Sequence, residues 1–301
     1  MKTAQQPETS DFAEKTFSIR RVSDNCQEKE SAVETDTLAI EEPLEIRLGF
    51  TGEDGEFGHK AVSVTMRTPG NDFELAAGFL FTEGVLSDGN QISSIKHCGA
   101  RFGQLKNTVR VDLQPGVRIN LKKIERNFYT TSSCGVCGKS SIEALETGAK
   151  RIKRSDYPQV SPAAIYRLPE KLRRAQKVFD HTGGLHAAAI ADARGNLIEL
   201  REDVGRHNAV DKLIGAKFLA NEIPLLTDKI LFLSGRASFE LVQKAVMARI
   251  PVIAAVGAPS SLAVDAAAEF GVTLLGFVRE NRFNVYTGFE RIVPAEEIKK
   301  L

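Results

Sequence analysis

The sequence predicts an α/β protein whose N-terminal part is α+β and whose C-terminal half is a mixed, mostly parallel sheet with helices. Two patterns carry this expectation. Beyond residue 180, short apolar runs at 186–191, 230–233, 252–256 and 272–275 are separated by turn residues and helical stretches. Alternation of that kind is the signature of a layered sheet with covering helices. Before residue 130 the strands instead alternate apolar and polar residues, as half-buried strands do.

Residues 1–36 are polar and without periodicity, and are expected to form a disordered tail in which Cys26 is an incidental thiol. An α+β subdomain over 37–150 follows. Strands are expected at 44–50 and 61–66, with Gly52, Asp54, Gly55 and Gly58 marking the turn between them. Asn71 is placed to cap a helix that Asp72 and Glu74 favour through its dipole and that Gly84 ends. Further strands are expected at 109–113, at 118–121 and around Phe128, and a short helix is expected to begin near Ser140 or Ser141.

The third part, 151–301, is an α/β subdomain. A helix is expected over about 161–179, then a hairpin of strands 186–191 and 197–200 turned by residues 192–196. A helix over about 205–220, strand 230–233, strand 252–256, strand 272–275 and a last strand near 283–286 complete it, with helices opening after residues 234–238 and 257–261.

Composition limits the function classes. Lys plus Arg (40) nearly balances Asp plus Glu (39), so no whole-chain field favours nucleic acid or a membrane surface. No apolar run reaches the ~18–20 residues that span a bilayer, and the N-terminus lacks the apolar core of a signal peptide. A cytoplasmic location is expected. Four cysteines in 301 residues do not make a disulfide framework.

Chemistry concentrates in a few places. Cys134-Gly135-Val136-Cys137-Gly138 puts two thiols in a glycine-flanked loop approached by Thr130, Thr131, Ser132 and Ser133. A following helix N-terminus favours the nucleophilic thiolate. Structural zinc needs four ligands; there is no second cysteine pair, and His181 and His186 stand at no signature spacing. A dithiol redox pair and a persulfide carrier both suit the spacing, and on the residues alone both stay open.

The second half carries turns suited to an anionic ligand. Ligands of open α/β sheets bind outside the carboxyl ends of strands, where helix N-termini present free N–H groups. Gly235 and Gly257 permit close backbone approach, Arg236 can grip phosphate, and Ser238, Ser260 and Ser261 can cap helices or donate to phosphate. Two such turns suit a diphosphate. His181 and His186 flank a Gly-Gly pair, and Asp203, Gly205, Arg206 and His207 crowd a strand-to-helix junction where Asp203 is placed to cap the helix. The alternative there is a hydrogen-bonded network that ties the junction together.

Five motifs occur in order: Cys134-Gly135-Val136-Cys137-Gly138; Asp180-His181-Thr182-Gly183-Gly184-Leu185-His186; the run from Glu202 to Lys212; Leu233-Ser234-Gly235-Arg236; and Gly276-Phe277-Val278-Arg279. On these the chain resembles the FdhD family of formate dehydrogenase accessory sulfurtransferases, from about residue 40 to 292. The resemblance implies a cytidine-deaminase-like C-terminal half, a homodimer, and a sulfurtransferase of the persulfide-carrier type. Sulfur would come from a cysteine desulfurase and pass to the molybdenum bis-guanine-dinucleotide cofactor, the protein's cargo, which formate dehydrogenase requires. Cys134 matches the persulfide carrier and Cys137 the second motif cysteine. Phe277, Val278, Arg279, Glu280, Asn281 and Arg282 match a cofactor-binding segment. With the residues of the turns, the expected cofactor site comprises these six and His186, Arg206, His207, Gly235, Arg236, Ser238 and Gly257. Deaminase activity is not implied: its signature places His-X-Glu before Pro-Cys-X-X-Cys, whereas His186 is followed by alanines and the cysteine pair comes earlier.

Overall fold

Apolar periodicity and turn chemistry divide the chain into twelve strands and seven α-helices among the described residues. These are 13–22, 33–52, 55–98, 107–119, 151–152, 158–223 and 228–294 of a computed structural model. Cys26, Cys134, Cys137, the strand expected around Phe128 and the helix expected near Ser140 or Ser141 lie outside them.

Strands β1 (Glu14–Arg20) and β2 (Val33–Ala39) pair antiparallel. This corrects the expectation of a structureless tail over 1–36. Thr16, Phe17, Ser18 and Ile19 alternate polar and apolar, but over a stretch too short to stand out in a polar segment. The base of the ribbon supplies the missing stabilisation. Ala13 packs with Val178 and Leu185, and Glu14 pairs with His181 at 3.1 Å.

β3 (Glu42–Thr51) and β4 (Phe57–Arg67) form an antiparallel pair. Helix α1 (Asp72–Thr82) follows; Asn71 occupies its N-cap in the left-handed region, and its side chain makes no capping bond. β5 (Ile92–His97) and β6 (Thr108–Leu113) complete a four-stranded sheet in the order β4-β3-β6-β5, with β3 and β6 parallel. Residues 117–119 carry no strand where 118–121 was expected.

The single helix expected over 161–179 is three: α2 (Pro162–Tyr166), α3 (Leu168–Ala175) and α4 (Lys177–Thr182). Pro169 in the first turn of α3 has no amide to donate back to the Ile165 carbonyl of α2, and Gln176 sits at non-helical angles between α3 and α4. Then come β7 (His186–Ala191), β8 (Leu197–Asp203), α5 (Arg206–Leu219), β9 (Ile230–Leu233), α6 (Phe239–Met247), β10 (Val252–Ala255), α7 (Ser261–Glu269), β11 (Thr273–Gly276) and β12 (Asn284–Thr287).

The second sheet runs β12-β11-β10-β9-β7-β8. Within it β9, β10 and β11 are mutually parallel, β7 opposes β9, β8 opposes β7, and β12 opposes β11. Four strands thus share one direction. The mixed α/β class expected for this half is present. All residues of β9, β10 and β11 are buried, as expected for strands covered on both faces. One face, with Leu231, Leu233, Ile253 and Leu274, packs in a core with α5, α6 and α7. The other, with Ile230, Phe232, Val252 and Leu275, packs with Ile165, Leu168 and Leu172 of α2 and α3.

The first of these cores continues into α1 and the four-stranded sheet. Helices α1 and α5 meet at two glycines. A Cβ on Gly78 would lie 1.9 Å from the Asp211 carbonyl oxygen, and one on Gly215 would lie 1.9 Å from that of Glu74. Polar groups reinforce the contact: Lys244 of α6 reaches Asp211 at 2.9 Å and the Thr82 hydroxyl at 3.0 Å, all three buried.

Candidate functional site

Strand direction assembles the site. His186, the first residue of β7, is the register partner of Asp203, the last of β8. Since β7 runs against β9, the start of β7 and the ends of β8, β9, β10 and β11 share one edge of the sheet. The N-termini of α5, α6 and α7 open at that edge, as do both turns expected to receive an anion.

Hydrogen bonds carry the sheet pattern past the strand ends. The Ser234 amide donates to the Ala187 carbonyl (3.0 Å), that of Gly257 to Gly235 (2.9 Å), and that of Phe277 to Gly257 (3.1 Å). Ala237 and Ser260 exchange further bonds with the facing loop. Gly257 is required by this packing, since a Cβ there would stand 2.8 Å from the Arg236 backbone nitrogen. Several amides that a phosphate was expected to use therefore hold the two loops together instead.

The helix starts differ. Ser260 caps α7, accepting from the Ala263 amide at 3.3 Å. Ser238 makes no capping bond on α6; its hydroxyl lies 3.3 Å from His207 Nε2. Glu240, in the first turn of α6, lies 3.8 Å from the same nitrogen. Its carboxyl is brought down to about 2, chiefly by His207, with its own backbone amide and the Ser238 hydroxyl adding to the effect against burial. Glu240 is the edge residue that sequence reasoning missed. Its only signal was an acid two positions into a helix, which ordinary dipole preference also explains. Helix α5, whose N-cap is Gly205, has no side-chain cap.

Asp203 does not cap α5, which corrects the sequence expectation. It is fully buried. Its carboxylate takes the Lys212 ammonium at 2.7 Å, the Gly205 amide at 2.8 Å, the Asn208 side-chain amide at 3.1 Å and the Thr68 amide at 3.2 Å. Lys212 also donates to the Thr68 carbonyl, and Asn208 to that of Met66. The alternative of a network tying the junction together therefore describes Asp203, Asn208 and Lys212. Arg206 and His207, between them in sequence, remain at the surface.

Of the expected cofactor residues, the structure brings His186, Arg206, His207, Gly235, Arg236, Ser238 and Gly257 to this edge. Arg206 and Arg236 have no ion pair or side-chain hydrogen bond among the described residues. The His186 imidazole rests over Gly235, where a Cβ would be 3.3 Å from Nδ1. Partial burial holds it below the usual histidine range. Arg206, His207 and Arg236 push the same way, and Asp203 opposes them.

The segment from Phe277 to Arg282 continues the edge beyond β11. Phe277 is exposed at φ 53°, a region costly for a bulky side chain. The Val278 side chain is fully buried in the core under α2 and α3, so it anchors the turn and offers no surface to a ligand. This corrects its place among ligand-contacting side chains. Arg279 Nη1 donates to the Val256 and Val278 carbonyls at 2.8 Å, and its amide donates to the Arg282 carbonyl. Glu280, Asn281 and Arg282 are exposed at the tip. Among the described residues no helix is long and apolar enough to cross a membrane.

The model of the FdhD/NarQ family matches residues 39–293. The chain belongs to this family. It is 53% identical over 271 residues to the sulfur carrier protein FdhD of Streptomyces coelicolor, covering 88% of this chain and 92% of that one. It is 49% identical over 263 residues to the protein of the same name from Mycobacterium tuberculosis (85% and 92%). The protein of that name from Picrophilus torridus is 44% identical over 259 residues (86% and 93%). The crystal structure of a putative formate dehydrogenase accessory protein from Desulfotalea psychrophila superposes with a TM-score of 0.68 at 23% identity. It covers 93% of this chain and 100% of its own. The fold is therefore that of an FdhD/NarQ protein, and its matched span includes the whole edge from His186 to Arg282.

Proposed function

We propose that the chain is a sulfur carrier serving formate dehydrogenase. It takes sulfane sulfur from a cysteine desulfurase onto Cys134 as a persulfide and passes it to the molybdenum bis-guanine-dinucleotide cofactor. The observation that carries this reading is the match, over 85–88% of the chain, to relatives named sulfur carrier protein FdhD. The chemistry of the edge supports it. Two guanidinium groups without carboxylate partners among the described residues, and a helix start without a side-chain cap, suit the diphosphates of a dinucleotide. In the reaction the acceptor would supply the electron pair of a new bond to the terminal sulfur, while the pair of the broken S–S bond goes to Cys134 Sγ, which leaves as a thiolate and takes up a proton. Cys137, three residues on, is a second thiol able to share or protect that sulfur. The working protein is a homodimer in the cytoplasm.

The test begins by incubating the whole chain with a cysteine desulfurase and cysteine and measuring its intact mass. A thiol-reversible sulfur adduct is expected, and Cys134→Ala should abolish it. Absence of any adduct on the unsubstituted chain counts against the carrier role. If a Cys134/Cys137 double variant still supports fully active formate dehydrogenase, the protein is a cofactor-binding chaperone without transfer chemistry.

A further inference from the structure

The charges around His186 do not balance. Its ring rests over Gly235, next to Arg236 in the loop after β9, and its register partner Asp203 leads through Gly205 into Arg206 and His207 at the start of α5. The facing carboxylates are engaged elsewhere. Asp203, beside it on β8, is held by the Lys212 ammonium at 2.7 Å. Glu240 of α6 faces His207. The remaining neighbours on the β9 loop, Ser234 and Gly235, carry no charge; the Ser234 hydroxyl accepts the Ala187 amide at 2.8 Å. The His186 side chain is exposed to solvent at this edge, so a ligand can reach it and a proton can come and go.

We propose that a diphosphate-bearing ligand bound at the Arg206 and Arg236 edge raises the proton affinity of His186, whose protonated form then holds that ligand as an additional cation. The proposal rests on reading this edge as the dinucleotide site and adds a proton to its occupancy. Partial burial first, and the positive charges of Arg206, His207 and Arg236 in addition, favour neutral imidazole. A bound polyanion offsets those positive charges, so the charged form is stabilised relative to the neutral one. By linkage, ligand binding and protonation must then strengthen each other equally.

Nuclear magnetic resonance of the whole chain tests this, because only five histidines contribute imidazole signals. His186→Gln identifies the relevant one, and inorganic pyrophosphate is the probe. The His186 midpoint is expected to rise by about one unit at saturating pyrophosphate, the equivalent of about a tenfold linked change in affinity. Inorganic sulfate, which does not titrate near neutral pH, should bind more tightly as pH falls through the same window, and His186→Gln should remove that dependence. In the unliganded protein Arg236→Ala should by itself raise the midpoint, a measurement that needs no ligand. If pyrophosphate binds and the His186 midpoint stays where it was, the proton coupling is wrong and the site reading survives. If neither pyrophosphate nor a guanine nucleotide binds, the site reading fails and the coupling fails with it.

Discussion

Asp203 and Lys212 form an ion pair of 2.7 Å with both side chains shut off from water. The pair joins β8 to α5 and, through the Thr68 amide and carbonyl, joins both to the N-terminal half. A buried pair is not in itself strongly stabilising, but removing one partner strands the other charge. Lys212→Met and Asp203→Asn should each lower stability by about 3–5 kcal/mol. The double variant Asp203→Asn with Lys212→Met should lose less than the sum of its single changes. Urea denaturation of the three variants checks this, and strictly additive losses would show that the two groups are not energetically paired.

Gly78 and Gly215 allow α1 and α5 to touch backbone to backbone. Either glycine changed to alanine puts a methyl 1.9 Å from a carbonyl oxygen of the opposite helix. Neither oxygen can rotate away as a side chain would, so the helices must separate. Each substitution is expected to cost at least the ~1–3 kcal/mol of an overpacked core. Thermal melting is the measurement. An unchanged midpoint for both variants would mean that the helices do not cross this closely.

The elements most legible in the sequence were those specified by local chemistry. The apolar runs of β7 and β9 were placed at their observed limits, and α5 within a residue of its own. The edge was legible because Gly235, Arg236, Gly257 and His207 sit where strand ends meet helix starts. Much else depended on groups distant in sequence. Asp203 looked like a helix cap because its buried partner Lys212 lies two turns further along and Thr68 lies 135 residues away. Val278 looked like a ligand contact because burial under α2 and α3 cannot be read from a motif. The glycines of α1 and α5 carried no local signal, since each has meaning only against the other helix.

Gly257→Ala tests whether the loops at the edge must interlock. The added methyl would meet the Arg236 nitrogen at 2.8 Å and its Cα at 2.9 Å, pushing apart loops joined by the Gly257 amide and the Gly235 carbonyl. The variant should fold but bind a guanine nucleotide at least several-fold more weakly, because Arg236 is displaced. Gly235→Ala, whose nearest neighbour is the His186 ring at 3.3 Å, should be milder. Equal affinities for both variants, measured by calorimetry, would contradict this ranking.

The depressed carboxyl of Glu240 predicts an acid-dependent contribution to stability. Its value falls from the ordinary 4.5 to about 2 in the folded protein, with His207 the first cause. A group depressed in this way stabilises the fold fully above its unfolded value. Between about pH 4.5 and about pH 2 the unfolded chain holds the proton more readily, so the contribution fades as pH falls and is gone below about pH 2. Glu240→Gln should therefore lower stability at neutral pH and leave a shallower loss across that window than the unsubstituted chain shows. His207→Gln should flatten the same limb, because it removes the imidazole that depresses the carboxyl. Denaturation midpoints at half-unit steps from pH 6 to pH 2 decide the matter: parallel curves for all three proteins would mean that Glu240 and His207 do not interact across the start of α6.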